Sequence, residues 1–131
     1  MGATFFQNST TVRSLGQNIN LNNESLIVNG ELAATNNTAN QTLTTLSPTV
    51  VRSAMLNVSV SVDGTTDVYE NFILNVINKG GVAFEMSQTS AGDISGISFD
   101  VTSAGVIRAT TPNIGGFVSC TIKFTGYQTL I

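Results

Sequence analysis

The sequence lacks histidine and tryptophan altogether, and only 10% of its residues are charged. The missing histidine removes the commonest general base, the commonest metal ligand and the usual partner of a nucleophilic serine or cysteine. The missing tryptophan counts against a stand-alone carbohydrate-binding module. Because charged residues make up about 25% of ordinary soluble domains, this surface must instead consist of asparagine, threonine, serine and glutamine. Such a surface does little to keep identical copies apart by charge, so it favours an assembled state.

Positive charge is also scarce. The net charge is -3, and the five lysines and arginines are scattered along the chain. Phosphate binding requires clustered lysine or arginine, so we expect no nucleic-acid partner. No apolar stretch is long enough to span a bilayer, and the first residues lack the features of a signal peptide. We therefore expect a protein made in the cytoplasm, with no membrane partner.

The residues that could carry catalysis or bind a metal are few. Cys120 is the single cysteine, and its place in the alternating run VSCTI predicts a small buried residue and no intrachain disulfide. The acidic residues from Asp63 onward lie at turns or alternate with apolar neighbours, which predicts solvated positions rather than the carboxylate pair of a glycosidase. A calcium site between Asp63 and Asp67 would lack enough acidic oxygens. We therefore predict no enzymatic activity, no metal site and no cofactor.

From about residue 52, apolar and polar residues alternate, and no stretch keeps the helical period for three turns. Turns rich in glycine, asparagine and aspartate separate the alternating runs. This pattern predicts an all-β fold, a jelly-roll-like antiparallel β-sandwich. The residues on the inward side of its strands form the predicted core: Leu56, Val58, Val60, Phe84, Ile97, Phe99, Val101, Cys120, Ile122 and Phe124.

The run FILNVI, residues 72–77, is apolar on both faces of a strand. Phe72 lies on one face, and Ile73 and Ile77 lie on the other. A strand with two apolar faces must be covered on both sides. The run is therefore either a central strand of the sandwich or a strand that brings Phe72, Ile73 and Ile77 to a subunit interface, and the alternation alone leaves both open.

Residues 1–49 have only short apolar clusters and are expected to form an arm and a linker in front of a sandwich domain of residues 50–131. The dipeptide Asn29-Gly30 stands between the runs LIV and EL, which predicts a type I′ hairpin turn. Residues 35–49 are poor in apolar side chains and contain a proline, which predicts a linker. An isolated hairpin is marginally stable in water, so the arm should lie against the sandwich, a second subunit or a larger surface.

The chain from Arg52 onward resembles a β-sandwich module found at the C-terminal ends of tailed-phage structural proteins, including tail fibres, spikes and head appendages. The resemblance is carried by a long first hairpin, RSAMLNVSVSVDGTTDVYENFILNVINKG, by a G-D-x-x-G-I-x-F segment, GDISGISF, by the T-T-x-N sequence TTPN, and by the closing strand VSCTIKF. The chain departs from the usual module in having Ile107-Arg108-Ala109 where an aromatic residue normally precedes T-T-x-N. The resemblance implies a compact β-sandwich that forms a homotrimer and belongs to a virion.

Two functions follow from the resemblance. The first is a capsid decoration (cement) or head-fibre protein on the capsid surface, because only about 50 residues precede the module instead of a long stalk. It would dock on the major capsid protein, or on another virion protein, through the apolar arm residues Phe5, Phe6, Leu26, Ile27 and Val28. The second is the receptor- or glycan-binding tip of a tail fibre or spike, in which Tyr69, Phe117 and Tyr127 would stack on a host surface glycan.

Overall fold

The computed structural model describes residues 19–80 and 83–131. Within these ranges the chain forms nine strands and no helix, and so no helix that could cross a membrane. The strands are β1 (Ile19–Leu21), β2 (Ser25–Ala33), β3 (Gln41–Thr45), β4 (Val51–Asp63), β5 (Val68–Asn78), β6 (Phe84–Gly92), β7 (Ser98–Val101), β8 (Val106–Thr110) and β9 (Ser119–Leu130).

The strands form two antiparallel sheets. The large sheet has the order β1-β2-β9-β4-β5-β6, and the small sheet has the order β3-β8-β7. The longest local pairing is the β4–β5 hairpin, whose register runs from Ser53 opposite Ile77 to Val62 opposite Val68. Residues 64–67 join its two strands. The all-β antiparallel sandwich predicted from the sequence is confirmed.

The core lies between the small sheet and one face of the large sheet. Alternate residues of β4, β5 and β9 point into it, and Leu56, Leu74 and Ile122 are completely buried. Phe72 of the large sheet meets Phe99 of the small sheet edge to face, with ring centroids 4.9 Å apart, a favourable aromatic geometry. Of the residues predicted for the core, Val101 is half-buried and packs against it, and the others are buried: Leu56, Val58, Val60, Phe84, Ile97, Phe99, Cys120, Ile122 and Phe124.

The predicted hairpin turn at Asn29-Gly30 is wrong. Both residues lie in the middle of β2, where Asn29 is opposite Thr125 and Gly30 is opposite Phe124. A Cβ atom at Gly30 would lie 2.5 Å from Cε1 of Phe124, so the ring of Phe124 occupies the space of the absent side chain. The glycine serves close packing within a strand here, rather than a turn.

The turn instead lies at Asn22-Asn23, between β1 and β2. Both asparagines have positive φ, 59° and 58°, and the N–H of Glu24 donates to the carbonyl oxygen of Leu21 at 3.1 Å. Positive φ at both central residues defines a type I′ turn, and asparagine tolerates this conformation better than most residues. The side chain of Asn20 also accepts a hydrogen bond from the Asn23 N–H at 2.7 Å.

The predicted division between an arm and a sandwich at residue 49 does not follow the sheets. Strand β2 belongs to the large sheet and β3 to the small sheet, while Val28, Leu43 and Leu46 lie in the shared core. The predicted linker thus contains strand β3. The sequence QTLTT does not show the alternation of a strand, because four of its five residues are polar and the buried Leu43 is the one apolar side chain of β3. Residues 1–18 of the predicted arm lie outside the described residues.

The segment between β2 and β3 is held by the sequence TTPN. The buried Thr111 Oγ1 donates to the carbonyl oxygen of Thr35 at 2.6 Å and accepts from the Thr38 N–H at 3.0 Å. The Asn113 side chain accepts from Asn36 Nδ2 at 3.2 Å. The chain therefore crosses from the large sheet to the small sheet along a path fixed by residues that lie far from it in sequence.

We predict that Gly30→Ala destabilises the protein by about 1–3 kcal/mol, because the new methyl group would force the ring of Phe124 out of its place. The matched control is Gly115→Ala, whose added Cβ would meet its nearest atom, Thr65 Oγ1, at an ordinary 3.9 Å. Urea unfolding followed by circular dichroism measures both changes. If Gly30→Ala proved as stable as Gly115→Ala, the proposed packing of Phe124 over Gly30 would be wrong.

Candidate functional site

The large sheet has one face that the small sheet does not cover, and we call it the outer face. Along β4 its residues alternate with the buried core residues, so Met55, Asn57, Ser59 and Ser61 all point outward and are exposed. In the described part of the chain no other element lies over this face. It is therefore a broad surface of the described sandwich that is available to a partner.

An apolar patch occupies one end of the outer face. Ile27 of β2 is opposite Tyr127 of β9, and Tyr127 is opposite Met55 of β4. Ile73 and Ile77 on β5 continue the patch. Met55 is 51% exposed, Ile77 42% and Tyr127 60%, and a groove of about 240 Å³ is lined by Ile27, Met55, Ile73 and Tyr127 but not by Ile77. Exposed apolar side chains that are grouped in this way mark surfaces that bind other molecules.

Beside this patch the outer face carries amides and hydroxyls. Asn71 Nδ2 donates to Asn57 Oδ1 at 2.7 Å, and Ser59 Oγ donates to Asn71 Oδ1 at 3.0 Å. The two charges nearby, Lys123 and Glu31, are 3.8 Å apart and mostly exposed. This part of the face offers neutral hydrogen-bond donors and acceptors, which suit a polar uncharged ligand or the rim of a protein interface.

The structure separates the three residues predicted for the subunit interface. Phe72 is 4% exposed and packs in the core, so it does not belong to a surface where a subunit could bind. Ile73 and Ile77 point to the outer face instead. Successive side chains of a strand lie on opposite faces, so the three residues could not share one interface.

The residues predicted for docking are also divided. Val28 is buried in the core, and Leu26 packs against it. Ile27 alone of this run lies on the outer face. Phe5 and Phe6 lie outside the described residues. The apolar run LIV is thus mainly part of a core strand, because Leu26 and Val28 lie on its covered face and Ile27 lies on the other.

The aromatic residues considered for glycan stacking differ in exposure. Tyr69 is 59% exposed and Tyr127 is 60% exposed, whereas Phe117 is half-buried against the core. Tyr69 is opposite Ser61 and Tyr127 is opposite Met55. These partners are six residues apart on β4, which corresponds to about 20 Å along the strand. Two exposed rings therefore stand on one face with amides and hydroxyls between them.

Glu70 is the exception to the prediction that the acidic residues are solvated, because its side chain points inward and the residue is 9% exposed. Its Oε1 accepts from Ser95 Oγ at 2.6 Å and from the Ser95 N–H at 2.9 Å. Burial alone would raise the pKa of Glu70, but the hydrogen bonds from Ser95 and Ser90 outweigh it and hold the pKa below its usual value. The carboxylate thereby joins β5 to the loop GDISG, and this loop leads to the small sheet.

The neighbouring Asp93 also binds the loop to β5. Its N–H donates to the carbonyl oxygen of Tyr69 at 2.9 Å, and its Oδ2 accepts from the Tyr69 N–H at 3.0 Å. The Glu70 carboxylate of β5 thus binds Ser95 of the loop, and the Asp93 carboxylate of the loop binds the backbone of Tyr69 on β5. These hydrogen bonds hold the loop GDISG against β5, so the role of the two carboxylates is structural.

The remaining ionisable groups are arranged singly or in pairs. Arg108 binds Asp100 through two hydrogen bonds, of 2.9 and 2.6 Å, and these lower the pKa of Asp100. Burial raises the pKa of the Cys120 thiol. Over residues 19–80 and 83–131, no three histidine, cysteine or acidic residues are close enough to hold a metal ion.

No protein-family model matches the sequence, and no curated protein matches it. Among solved structures, the chain is similar to the tailspike protein of Acinetobacter phage vB_ApiP_P1, with a TM-score of 0.55 and 17% identity over 77% of this chain. The fold is therefore similar to that of part of a phage tailspike. A second match, to the tailspike protein gp49 of Acinetobacter baumannii bacteriophage Fri1, a capsular polysaccharide depolymerase, covers 98% of this chain with a TM-score of 0.43 and 9% identity. The chain spans 22% and 23% of the lengths of these two proteins.

We predict that Glu70→Gln weakens the protein by about 1–3 kcal/mol at pH 7, since it replaces a hydrogen-bonded carboxylate by a neutral amide. The folded pKa of Glu70 lies below the usual 4.5. Its contribution to stability is therefore present above that pH and is lost as the pH falls through the folded pKa. The unfolding free energy of the wild type should decrease more steeply below pH 4.5 than that of Glu70→Gln.

The matched control for this prediction is Glu85→Gln, which removes an exposed carboxylate paired only with Lys79. This change should alter the free energy of unfolding little at pH 7 or at pH 3, because exposed ion pairs contribute little to stability. Denaturant unfolding at pH 7 and at pH 3 measures the free energy of unfolding of the wild type, Glu70→Gln and Glu85→Gln. Equal acid sensitivity of the wild type and Glu70→Gln would argue against the assigned role of Glu70.

Proposed function

We propose that this protein is a structural component of a phage virion that acts by binding other proteins and has no catalytic activity. The observation that carries the proposal is the uncovered apolar patch of Ile27, Met55, Ile73, Ile77 and Tyr127 on the outer face. Its support is the similarity in fold to part of a phage tailspike. The low charge of the chain agrees with a protein that functions in an assembly.

The outer face is the proposed interface of a homotrimer. Ile73 and Ile77 are its apolar centre, and the amides and hydroxyls around Asn57 and Asn71 are its polar rim. An apolar centre with a polar rim is the common composition of protein interfaces. Phe72 contributes indirectly, by supporting β5 from the core side.

The finer proposal is that of a capsid decoration or head-fibre protein on the capsid surface. Docking on the major capsid protein is assigned to residues 1–18, with Phe5 and Phe6 as the apolar anchors. Val28 and Leu26 are removed from this assignment, since they stabilise the sandwich. The residue that follows this segment, Ile19, begins β1, the outermost strand of the large sheet.

We predict that deletion of residues 2–18 abolishes binding to empty capsids while the sandwich remains folded, because β2 and the core strands stay in place. The double variant Phe5→Ser/Phe6→Ser should weaken capsid binding strongly as well. Co-sedimentation with capsids measures binding, and circular dichroism checks the fold. The matched control, Thr4→Ser/Gln7→Asn, changes the flanking polar residues and should bind normally. Full occupancy of capsids by the deletion variant would overturn the docking role.

A second candidate function is binding of a host surface glycan at the tip of a tail fibre or spike. The observation that favours it is the exposure of Tyr69 and Tyr127 on one face. Aromatic rings stack on the apolar faces of sugars, and the amides of Asn57 and Asn71 between them could bind sugar hydroxyls. This function requires the outer face to be free in the assembled protein.

For this second candidate we predict that Tyr69→Ala and Tyr127→Ala each reduce binding of purified protein to host cells or to a glycan array by about tenfold, which corresponds to about 1.4 kcal/mol per ring. Phe117→Leu is the matched control, because Phe117 is half-buried against the core. Wild-type protein that binds capsids and not cells would exclude this candidate. Shortening of a glycan by the protein would contradict the proposal of no catalytic activity.

A further inference from the structure

Strand β6 forms one edge of the large sheet. Its nine residues, Phe84–Gly92, pair with β5 without any shift of register, from Asn78 opposite Phe84 to Glu70 opposite Gly92. Among the described strands β6 has no second neighbour. The backbone N–H and C=O groups of alternate residues therefore point away from the sheet, ready to pair with another strand.

The surroundings of β6 leave room for such a strand. From Ser87 to Gly92 every residue is exposed, on both faces of the sheet, so the small sheet does not reach over this part of the edge. The other edge strands are shorter or less regular than β6. Strand β1 has three residues, β7 has four, and the pairing of β3 is interrupted by a register shift between Thr42 and Thr44. Strand β6 is thus the long, accessible edge of the described sandwich.

The usual protections of an edge strand are missing from β6. Exposed edges are normally blocked by lysine, proline, a β-bulge or an inward-pointing charge. Residues 86–91, with the sequence MSQTSA, contain no charged residue and no proline, and their pairing with β5 contains no bulge. The charges of this strand are confined to Glu85, near its first residue, which binds Lys79 at 2.9 Å.

We propose that β6 pairs in antiparallel fashion with β6 of a second copy of the chain, around a two-fold axis at Gln88, the central residue of the strand. In this register the nine residues of each strand pair completely, and Gln88 is opposite Gln88 of the second copy. Glu85 is opposite Ala91 and Ser87 is opposite Thr89, so no like charges meet. The occupant is a second copy because the strand is compatible with itself in size and charge, and a two-fold contact is closed.

This contact is independent of the virion role and of the outer face. It uses the edge of the sheet, whereas the proposed trimer uses Ile73 and Ile77 on its face. Edge pairing gives a dimer from a monomer, and from a trimer it gives a closed hexamer in which the two-fold axes of the β6 contacts cross the three-fold axis of the trimer. Its removal should halve the mass in either case, so the two contacts can be tested separately.

The test is the mass of the full-length protein, by sedimentation and light scattering over a range of concentrations. Gln88→Lys and Gln88→Glu each place like charges opposite one another across the axis, so each variant alone should show half the wild-type mass. An equal mixture of the two places opposite charges together, so it should recover the wild-type mass. Thr42→Lys, an exposed residue on β3, is the matched control and should keep the wild-type mass.

Two further outcomes make the test decisive. Ile73→Asp should leave the edge contact intact, so its mass should halve again when Gln88→Lys is added. If Gln88→Lys had the mass of the wild type, or if the mixture of Gln88→Lys and Gln88→Glu stayed at half mass, two-fold pairing of β6 would be refuted. Circular dichroism of each variant checks that the sandwich is folded, and an unfolded Gln88→Lys is replaced by Thr89→Lys, which adds the charge beside the axis.

Discussion

The whole structure depends on strand β9, which is hydrogen-bonded along both of its edges. It pairs with β2 on one side and with β4 on the other, so Ile122 is opposite both Leu32 and Val60. The last strand of the chain thus joins the N-terminal strands to the long β4–β5 hairpin. Because these partners are distant in sequence, the large sheet forms only when the chain ends come together, and its stability is shared by all of its parts.

The motifs that connect the two sheets have structural roles. At the loop GDISG between β6 and β7, Glu70 of β5 accepts hydrogen bonds from Ser95, and Asp93 of the loop accepts one from the Tyr69 N–H. In TTPN, Thr111 binds the crossover from β2 to β3. Buried polar groups need such partners, because an unsatisfied group costs free energy. These polar residues therefore stabilise the connections between the two sheets. The candidate binding sites are on the surfaces of the sandwich.

Two surfaces remain, and they differ in physical character. The outer face combines the apolar patch with neutral amides and two exposed tyrosines, so burial of its side chains would drive binding. The edge of β6 is almost free of charge and large apolar residues, so its binding would rest on backbone hydrogen bonds. A sandwich in which a three-stranded sheet covers a six-stranded sheet on one side necessarily presents both. The outer face, where Ile77 is exposed and Ile73 is half-buried, has no covering sheet among the described strands, and β6 is the last strand of the large sheet.

The sequence by itself determined the all-β class, the β4–β5 hairpin and the burial of nine of the ten residues predicted for the core, because a period of two residues assigns side chains to one face or the other. It misplaced the hairpin turn at Asn29-Gly30, since a glycine that makes a turn and one that makes room for the ring of Phe124 look alike in sequence. It also missed β3 and the burial of Glu70, which depend on partners more than 20 residues away. Only the tertiary structure decided which face of β5 is covered, because FILNVI is apolar on both faces and its alternation does not say which of them meets a second sheet.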